Sequence, residues 1–111
     1  MVVTHSRIAR WALVGIAGLT VAAVSASPAM AANKTFTAKQ VARHSSPTDC
    51  WTSINGSVYN LTGWIAKHPG GSRPILATCG RDGSALFNGQ HSGQSAPEAI
   101  LRSYKIGTLK K

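Results

Sequence analysis

The chain has 111 residues, of which 43% are hydrophobic and 14% are charged, and its formal net charge is +9. Twelve lysine and arginine residues stand against only three acids, Asp49, Asp82 and Glu98, which are scattered along the sequence. Because the acids are scattered, the sequence does not support a catalytic site built on paired carboxylates. The basic surface suits acidic partners and disfavours basic ones.

The first 31 residues differ in composition from the rest and predict an export signal. Arg7 and Arg10 precede an apolar run over 11–26, and the small residues Ala29 and Ala31 occupy both positions that a signal peptidase reads. We therefore expect a Sec-type signal peptide over 1–31 and a periplasmic or extracellular domain after it. The alternative is an uncleaved membrane anchor, since the apolar run is nearly long enough to span a bilayer if tilted.

The predicted mature part, residues 32–111, is a single small domain without a membrane span, and we expect a monomer. Removing Arg7 and Arg10 with the signal lowers the net charge from +9 to +7. A core of this size gives only marginal stability unless a disulfide or a bound cofactor adds to it. Cys50 and Cys79 are the only cysteines, and in an exported protein they favour a disulfide. Two reduced, buried cysteines are the alternative.

The first elements of this domain are a helix and a hairpin. Thr37 and Gln40 have the spacing of a capping box, which predicts a helix that begins after Thr37. His44 lies near the end of that helix and is predicted to be structural. The pair Asn55-Gly56 divides two apolar runs within 50–61, and it satisfies the backbone angles of a type I′ turn. This segment is therefore predicted to be a β-hairpin.

Two histidines then lie on either side of a loop-rich stretch. Thr62 is predicted to cap a short helix that delivers His68, and Pro69 with the two following glycines must end that helix. The His68 imidazole would stand beside bare backbone, where a carbonyl can fix its second ring nitrogen. His91 follows Phe87 by four residues.

The remaining predicted elements are short, and each has its own start signal. They are a helix capped by Ser72 with Pro74 in its first turn, a helix over 84–87 capped by Asp82, a helix opened by Pro97 and Glu98, and a closing strand over 105–109. Together with the hairpin, these elements indicate an α+β fold.

A set of motifs spread over residues 37–109 forms one pattern. Its members are Val41, His44, Trp51, the run from Val58 to Thr62, the run from His68 to Gly71, Gly80, Asp82, Phe87, His91 and Ile106-Gly107. The pattern closely resembles the cytochrome b5-like haem-binding domain. Asn60 and Ser84 stand where the family usually has Asp and Thr, and three residues separate Phe87 from His91, where longer spacers also occur.

The resemblance implies a small cytochrome b5-like fold, in which a short mixed sheet and helix pairs form a haem pocket. It also implies that His68 and His91 are the axial ligands of one haem b. No Cys-x-x-Cys-His occurs, so the haem would be held without covalent bonds. Ser92 is expected to bind a haem propionate, the alternative being a solvated loop serine. The remaining candidates to contact the haem are Ile65, Ile75, Leu76, Ala85, Phe87, Gly70 and Gly71.

Two axial imidazoles leave the iron no vacancy for oxygen or a substrate, which favours single-electron transfer over catalysis. The resemblance thus implies an electron carrier rather than an enzyme, and the charge implies an acidic redox partner. Many microsomal and mitochondrial relatives carry an acidic rim, so their partners are not transferred to this chain. The alternatives are a haem-carrying module without redox turnover and an interaction domain that lacks haem. Nucleic-acid binding is disfavoured by the predicted export and by the absence of a clustered basic aromatic face.

Overall fold

A computed structural model describes residues 33–111 of the chain. The predicted signal peptide and its cleavage site lie outside the described residues. In chain order the elements are β1 (Thr35–Phe36), α1 (Ala38–Ala42), β2 (Ser45–Ser46), β3 (Asp49–Ile54), β4 (Ser57–Asn60), α2 (Arg73–Leu76), α3 (Ser84–His91), α4 (Ser95–Arg102) and β5 (Lys105–Leu109).

The strands form one mixed sheet in the order β1-β5-β4-β3-β2. The first and last strands of the chain, β1 and β5, pair in parallel, whereas all other neighbouring strands pair in an antiparallel manner. The β3–β4 hairpin turns at Asn55 and Gly56, whose φ angles are 49° and 83°, as a type I′ turn requires. The predicted hairpin, closing strand and α+β class are therefore confirmed.

The start of α1 shows the predicted capping box. The Gln40 N–H donates to Thr37 Oγ1 at 3.1 Å, and the Thr37 N–H donates to Gln40 Oε1 at 2.7 Å. His44 follows this helix, and its ring stacks on Trp51 with ring centres 3.6 Å apart. His44 Nδ1 lies 2.8 Å from the Asp49 carboxylate. These contacts agree with the structural role predicted for His44.

The segment that delivers His68 is a run of turns, and the regular helix predicted there is wrong. Thr62 does not cap it, because its Oγ1 accepts from the Cys50 N–H at 2.9 Å and donates to Asn60 Oδ1 at 2.7 Å. The last turn still closes, since the His68 N–H donates to the Trp64 carbonyl at 3.0 Å. Hydrogen bonds to the sheet therefore replace the predicted helix cap.

Three later helices are present, as predicted, but their bounds or caps differ from the prediction. α2 has only four residues, and Ser72 precedes it without a side-chain cap. α3 continues past the predicted end at Phe87 as far as His91. Its extension is held by Asn88, whose side-chain amide exchanges two hydrogen bonds with that of Asn55, at 3.0 and 2.9 Å. α4 begins two residues before Pro97.

The predicted disulfide is present and joins the sheet to the segment after α2. Cys50 on β3 is fully buried, and its Cα lies 4.7 Å from that of Cys79. Cys50 belongs to a core cluster with Ile54, Tyr59 and Leu61, against which the partly buried side chains of the helices pack. Within residues 33–111, no helix has the length and hydropathy needed to cross a membrane.

Candidate functional site

The candidate site is a cavity of about 490 Å³ between the sheet and the helices. This volume lies within the range of roughly 300–1,000 Å³ typical of small-molecule and cofactor pockets. Most side chains that line the cavity are apolar. The large ones are Ile54, Leu61, Trp64, Ile75, Leu86, Phe87, Ile100 and Leu101. Both histidines of the predicted ligand pair, His68 and His91, also line it.

His68 is held in one orientation by the turn that follows it. The His68 Nδ1 lies 2.8 Å from the Gly71 carbonyl oxygen, and the Gly71 N–H donates to the His68 carbonyl at 2.9 Å. A carbonyl only accepts, so Nδ1 carries the proton and Nε2 keeps its lone pair. The backbone carbonyl that the sequence led us to expect is therefore supplied by Gly71, whose φ is +94°.

Gly70 allows the chain to pass close to the His68 ring. A Cβ at position 70 would lie 2.9 Å from His68 Cε1, which is closer than real Cβ atoms approach other atoms. Any side chain there would push against the imidazole. Gly70 therefore leaves the ring the space that it occupies, as the predicted close approach of backbone at this motif requires.

His91 is the last residue of α3 and is half-buried. Its Nδ1 lies 3.3 Å from Gln94 Oε1, and the Gln94 N–H donates to the His91 carbonyl at 3.0 Å. The amide oxygen can only accept, so Nδ1 is again the donor and Nε2 again keeps its lone pair.

The two imidazole rings lie close to one another in an edge-on arrangement. Their centres are 6.4 Å apart, and their planes are inclined by 81°. A metal ion bound by both rings lies about 2 Å from each coordinating nitrogen, which puts two opposed ring centres roughly 6 Å apart. The observed separation therefore fits one metal centre held between His68 and His91.

The donor set also indicates which kind of metal centre fits. Within residues 33–111, no group of three or more His, Cys, Asp or Glu residues could hold a bare metal ion. Two imidazoles in an apolar cavity fit an iron whose other ligands come from a large, flat, apolar cofactor. Leu86 and Ile100 line the cavity with 55% and 39% of their surfaces exposed. A cofactor of this kind would cover them.

The sheet positions α3 through the segment that precedes this helix. The Ser53 N–H donates to the Arg81 carbonyl at 3.2 Å, and the Gly83 N–H donates to the Ser53 carbonyl at 2.8 Å. At the start of α3, the Ser84 hydroxyl accepts from the Asn55 N–H at 2.8 Å. Asp82 Oδ1 accepts from the Ser84 N–H at 2.8 Å, although the residue at the N-cap position is Gly83 and not the predicted Asp82. The helix that carries His91 is thus fixed to β3 and its turn.

The structure distributes the predicted contact residues among the cavity, the core and the surface. Gly70, Ile75 and Phe87 line the cavity. Ile65 does not line it and packs against the core cluster. Leu76 does not line it either and is 37% exposed.

The other predicted contact residues lie near the cavity without lining it. Gly71 contributes its carbonyl to His68 and is exposed. Ala85 is also exposed. Ser92 caps the end of α3 and is exposed beside His91. Propionate binding by Ser92 stays a prediction.

Several cavity residues were not singled out from the sequence. Trp64, Leu86 and Pro97 line the cavity, as do Ile100 and Leu101. The amphipathic pattern of α4 indicates a buried face, but periodicity cannot tell whether that face meets the core or a cofactor.

Comparisons with known proteins agree with this geometry. The model of the cytochrome b5-like haem/steroid-binding domain matches residues 37–110. The soluble cytochrome b558 of Ectothiorhodospira shaposhnikovii is 39% identical over 79 residues, which are 68% of this chain and 87% of that protein. The solved structure of cytochrome b558 from Ectothiorhodospira vacuolata superposes with a TM-score of 0.64 at 39% identity, covering 69% of this chain and 99% of that one.

Some relatives are much longer proteins. The Delta(5) fatty acid desaturase A of Dictyostelium discoideum is 38% identical over 76 residues, which are 68% of this chain but only 16% of that protein. Fold, site and family model agree over the same residues. The chain therefore belongs to the cytochrome b5-like haem/steroid-binding domain family, and its cofactor is haem b, held without covalent bonds.

Proposed function

We propose that this chain is an exported electron carrier in which His68 and His91 are the two axial ligands of haem b. Haem b supplies the one-electron chemistry of its iron. The observation that carries the proposal is the arrangement of the two rings. Both Nδ1 atoms donate to oxygens of neighbouring turns, and the ring centres stand 6.4 Å apart.

The two histidines favour electron transfer over catalysis at the metal. With both Nδ1 protons engaged, each Nε2 offers a lone pair, and two such ligands would occupy both axial positions of a bound haem. No position is then left for oxygen or a substrate, so we assign a carrier rather than an enzyme. The similarity to soluble cytochrome b558, of which the matching region covers 87%, supports this assignment.

The walls of the cavity would tune the electron transfer. Apolar side chains such as Ile75, Phe87 and Leu101 exclude water and lower the local dielectric around a bound cofactor. Burial of this kind, together with the hydrogen bonds to the imidazoles, sets the reduction potential. Leu86 and Ile100 lie where the cavity meets solvent, so one edge of the cofactor would stay accessible to a partner.

We also propose that the redox partner presents an acidic surface. Lys67 and Arg73 are both exposed and lie just before and just after the turn from His68 to Gly71. No acidic residue occurs between Leu61 and Arg81, so the charge near this turn is basic. Electron exchange with an acidic partner should slow as ionic strength rises. A rate that does not change across a salt series would contradict this choice of partner.

Export is supported by the disulfide as well as by the predicted signal peptide. Disulfides persist in oxidising compartments and are rare in the cytosol, and the bridge between Cys50 and Cys79 closes the only pair of cysteines in the chain. The location is tested by isolating the protein from its host and measuring the mass of the mature chain. A protein cleaved after Ala31 and recovered outside the cytoplasm is expected.

Axial ligation is tested with alanine variants of the haem-loaded chain. His68→Ala and His91→Ala should each abolish the low-spin absorption spectrum, because each removes one of two strong-field ligands. His44→Ala is the matched control, since His44 also lies beside an aromatic ring but does not line the cavity. It should keep the low-spin spectrum. Retention of that spectrum in either of the first two variants would refute the assignment.

A further inference from the structure

We infer that Gln94 is the positioning residue of His91 and that its amide oxygen sets how strongly His91 donates electrons to the iron. The inference rests on the proposed function, because it takes His91 as an axial ligand. It concerns a side chain that belongs to none of the sequence motifs and that follows the second histidine by three residues.

Gln94 is joined to His91 at two points. The side-chain oxygen of Gln94 accepts from His91 Nδ1 at 3.3 Å, and the backbone N–H of Gln94 donates to the His91 carbonyl at 3.0 Å. Between them Gly93 adopts a φ of +79°, a left-handed conformation that turns the chain back towards the end of α3. The turn thus holds the amide beside the ring.

Within the described residues, the His91 ring has no other hydrogen-bond partner. Gln94 Oε1 is therefore the group that fixes which ring nitrogen carries the proton. At His68 the equivalent acceptor is the Gly71 carbonyl, which is part of the backbone and is closer, at 2.8 Å. A side-chain acceptor differs because substitution can remove or strengthen it without altering the path of the chain.

Gln94 also links His91 to a wall of the cavity. The Gln94 carbonyl accepts from the Glu98 N–H at 3.3 Å, at the start of α4. The same helix lines the cavity with Pro97, Ile100 and Leu101. Gln94 therefore contacts both the His91 ring and the helix that forms this wall.

The physical consequence concerns the basicity of the ligand. Donation from Nδ1 to an acceptor makes the imidazole a stronger electron donor through Nε2, and the loss of such a partner typically weakens metal binding by about 10–100-fold. A stronger donor favours the ferric state and lowers the reduction potential. Removing the acceptor should therefore raise the potential, and a carboxylate in its place should lower it.

The test uses the full haem-loaded chain with two substitutions of similar size. Gln94→Met removes the acceptor, and Gln94→Glu replaces it with a stronger one. Reduction potentials are measured by spectroelectrochemical titration, and haem loss is measured by transfer to a haem-free globin. We expect the potential to rise in the Met variant and to fall in the Glu variant. Haem loss should be about 10-fold faster in the Met variant.

Gln90 provides the matched controls. It is exposed, lines the same cavity on α3 and makes no hydrogen bond to either histidine in the described part of the chain. Gln90→Met and Gln90→Glu therefore report the effect of lost polarity and of added charge near the site. Their shifts should be smaller than those of the Gln94 variants.

Two results would overturn the inference. One is a shift in the same direction for both Gln94 variants, and the other is a shift no larger than that of the matching Gln90 variant. Suppose that the wild-type spectrum is low-spin and that His91→Ala abolishes it. Either result then refutes the role of Gln94 and leaves the proposed function intact. A low-spin spectrum that survives His91→Ala refutes the proposed function instead.

Discussion

The turns after the two histidines share a pattern of hydrogen bonds but differ in the chemical group that accepts from the ring. In each turn, the third residue after the histidine makes two hydrogen bonds to it: its backbone N–H donates to the histidine carbonyl, and one of its oxygens accepts from Nδ1. Each turn also contains a glycine with a positive φ. At His68 the accepting oxygen is the Gly71 carbonyl, whereas at His91 it is the Gln94 side chain. A backbone acceptor is fixed by the path of the chain, and a side-chain acceptor can be tuned.

The elements that carry the two turns are also anchored differently. The segment after His68 is tied to the sheet covalently, through Cys79 and Cys50, and Thr78 and Ile75 beside it line the cavity. α3, which carries His91, has no covalent link to the sheet and is held by the packing of Phe87 and by hydrogen bonds, among them those of the paired amides of Asn55 and Asn88. The His68 side is therefore expected to be the more rigid wall of the site.

The largest change in the stability of the His68 side relative to the His91 side should come from removing the disulfide. The bridge closes a loop of 29 residues, which contributes about 3.5 kcal/mol to stability in the chain-entropy model. Replacing both Cys50 and Cys79 by alanine should lower the free energy of unfolding by at least that amount and speed haem loss. Chemical denaturation and haem transfer measure the two effects.

The same disulfide can be tested without mutation. Reductant should destabilise the wild-type protein and leave the double alanine variant unchanged, which makes that variant its own control. If reductant leaves the wild-type stability unaltered, the covalent anchor does not stabilise the His68 side as described.

A smaller effect is expected from adding one methyl group beside His68. Gly70→Ala places a Cβ 2.9 Å from His68 Cε1, which is closer than a Cβ approaches another atom. The imidazole ring must therefore move, and we expect haem affinity to fall in an equilibrium titration while overall stability changes little, because position 70 is exposed.

Gly89→Ala is the control for that substitution. Gly89 lies inside α3, and a Cβ there meets nothing within 4 Å. Alanine should therefore stabilise the helix by roughly 0.5–1 kcal/mol and leave haem affinity intact. Equal losses of haem affinity in the two variants would contradict the conclusion that Gly70 is needed to leave space for the His68 ring. The Gln94 substitutions should affect stability least, because the side chain is exposed.

Features fixed by local chemistry could be predicted from the sequence. The capping box at Thr37, the turn at Asn55-Gly56 and the break after His68 each depend on neighbouring residues alone. The disulfide followed from having two cysteines in a chain expected to be exported. The pair of histidines followed from the resemblance, because no physical pattern in one sequence identifies a haem site.

Features fixed by tertiary contacts could not be predicted. The turns before His68 replace a helix because Thr62 binds Cys50 and Asn60 on the sheet. α3 reaches His91 because Asn88 meets Asn55, 33 residues away in sequence. Gln94 carried no signal, since the meaning of an amide in a loop depends on which ring the turn brings to it.

The central claim is that one haem iron lies between His68 and His91 with both axial positions taken. It is tested most directly by the absorption and paramagnetic resonance spectra of the full chain with one equivalent of haem b. The account predicts a low-spin, six-coordinate centre in the ferric and ferrous states that does not bind carbon monoxide. A high-spin centre, or ready binding of carbon monoxide by the ferrous protein, would contradict it.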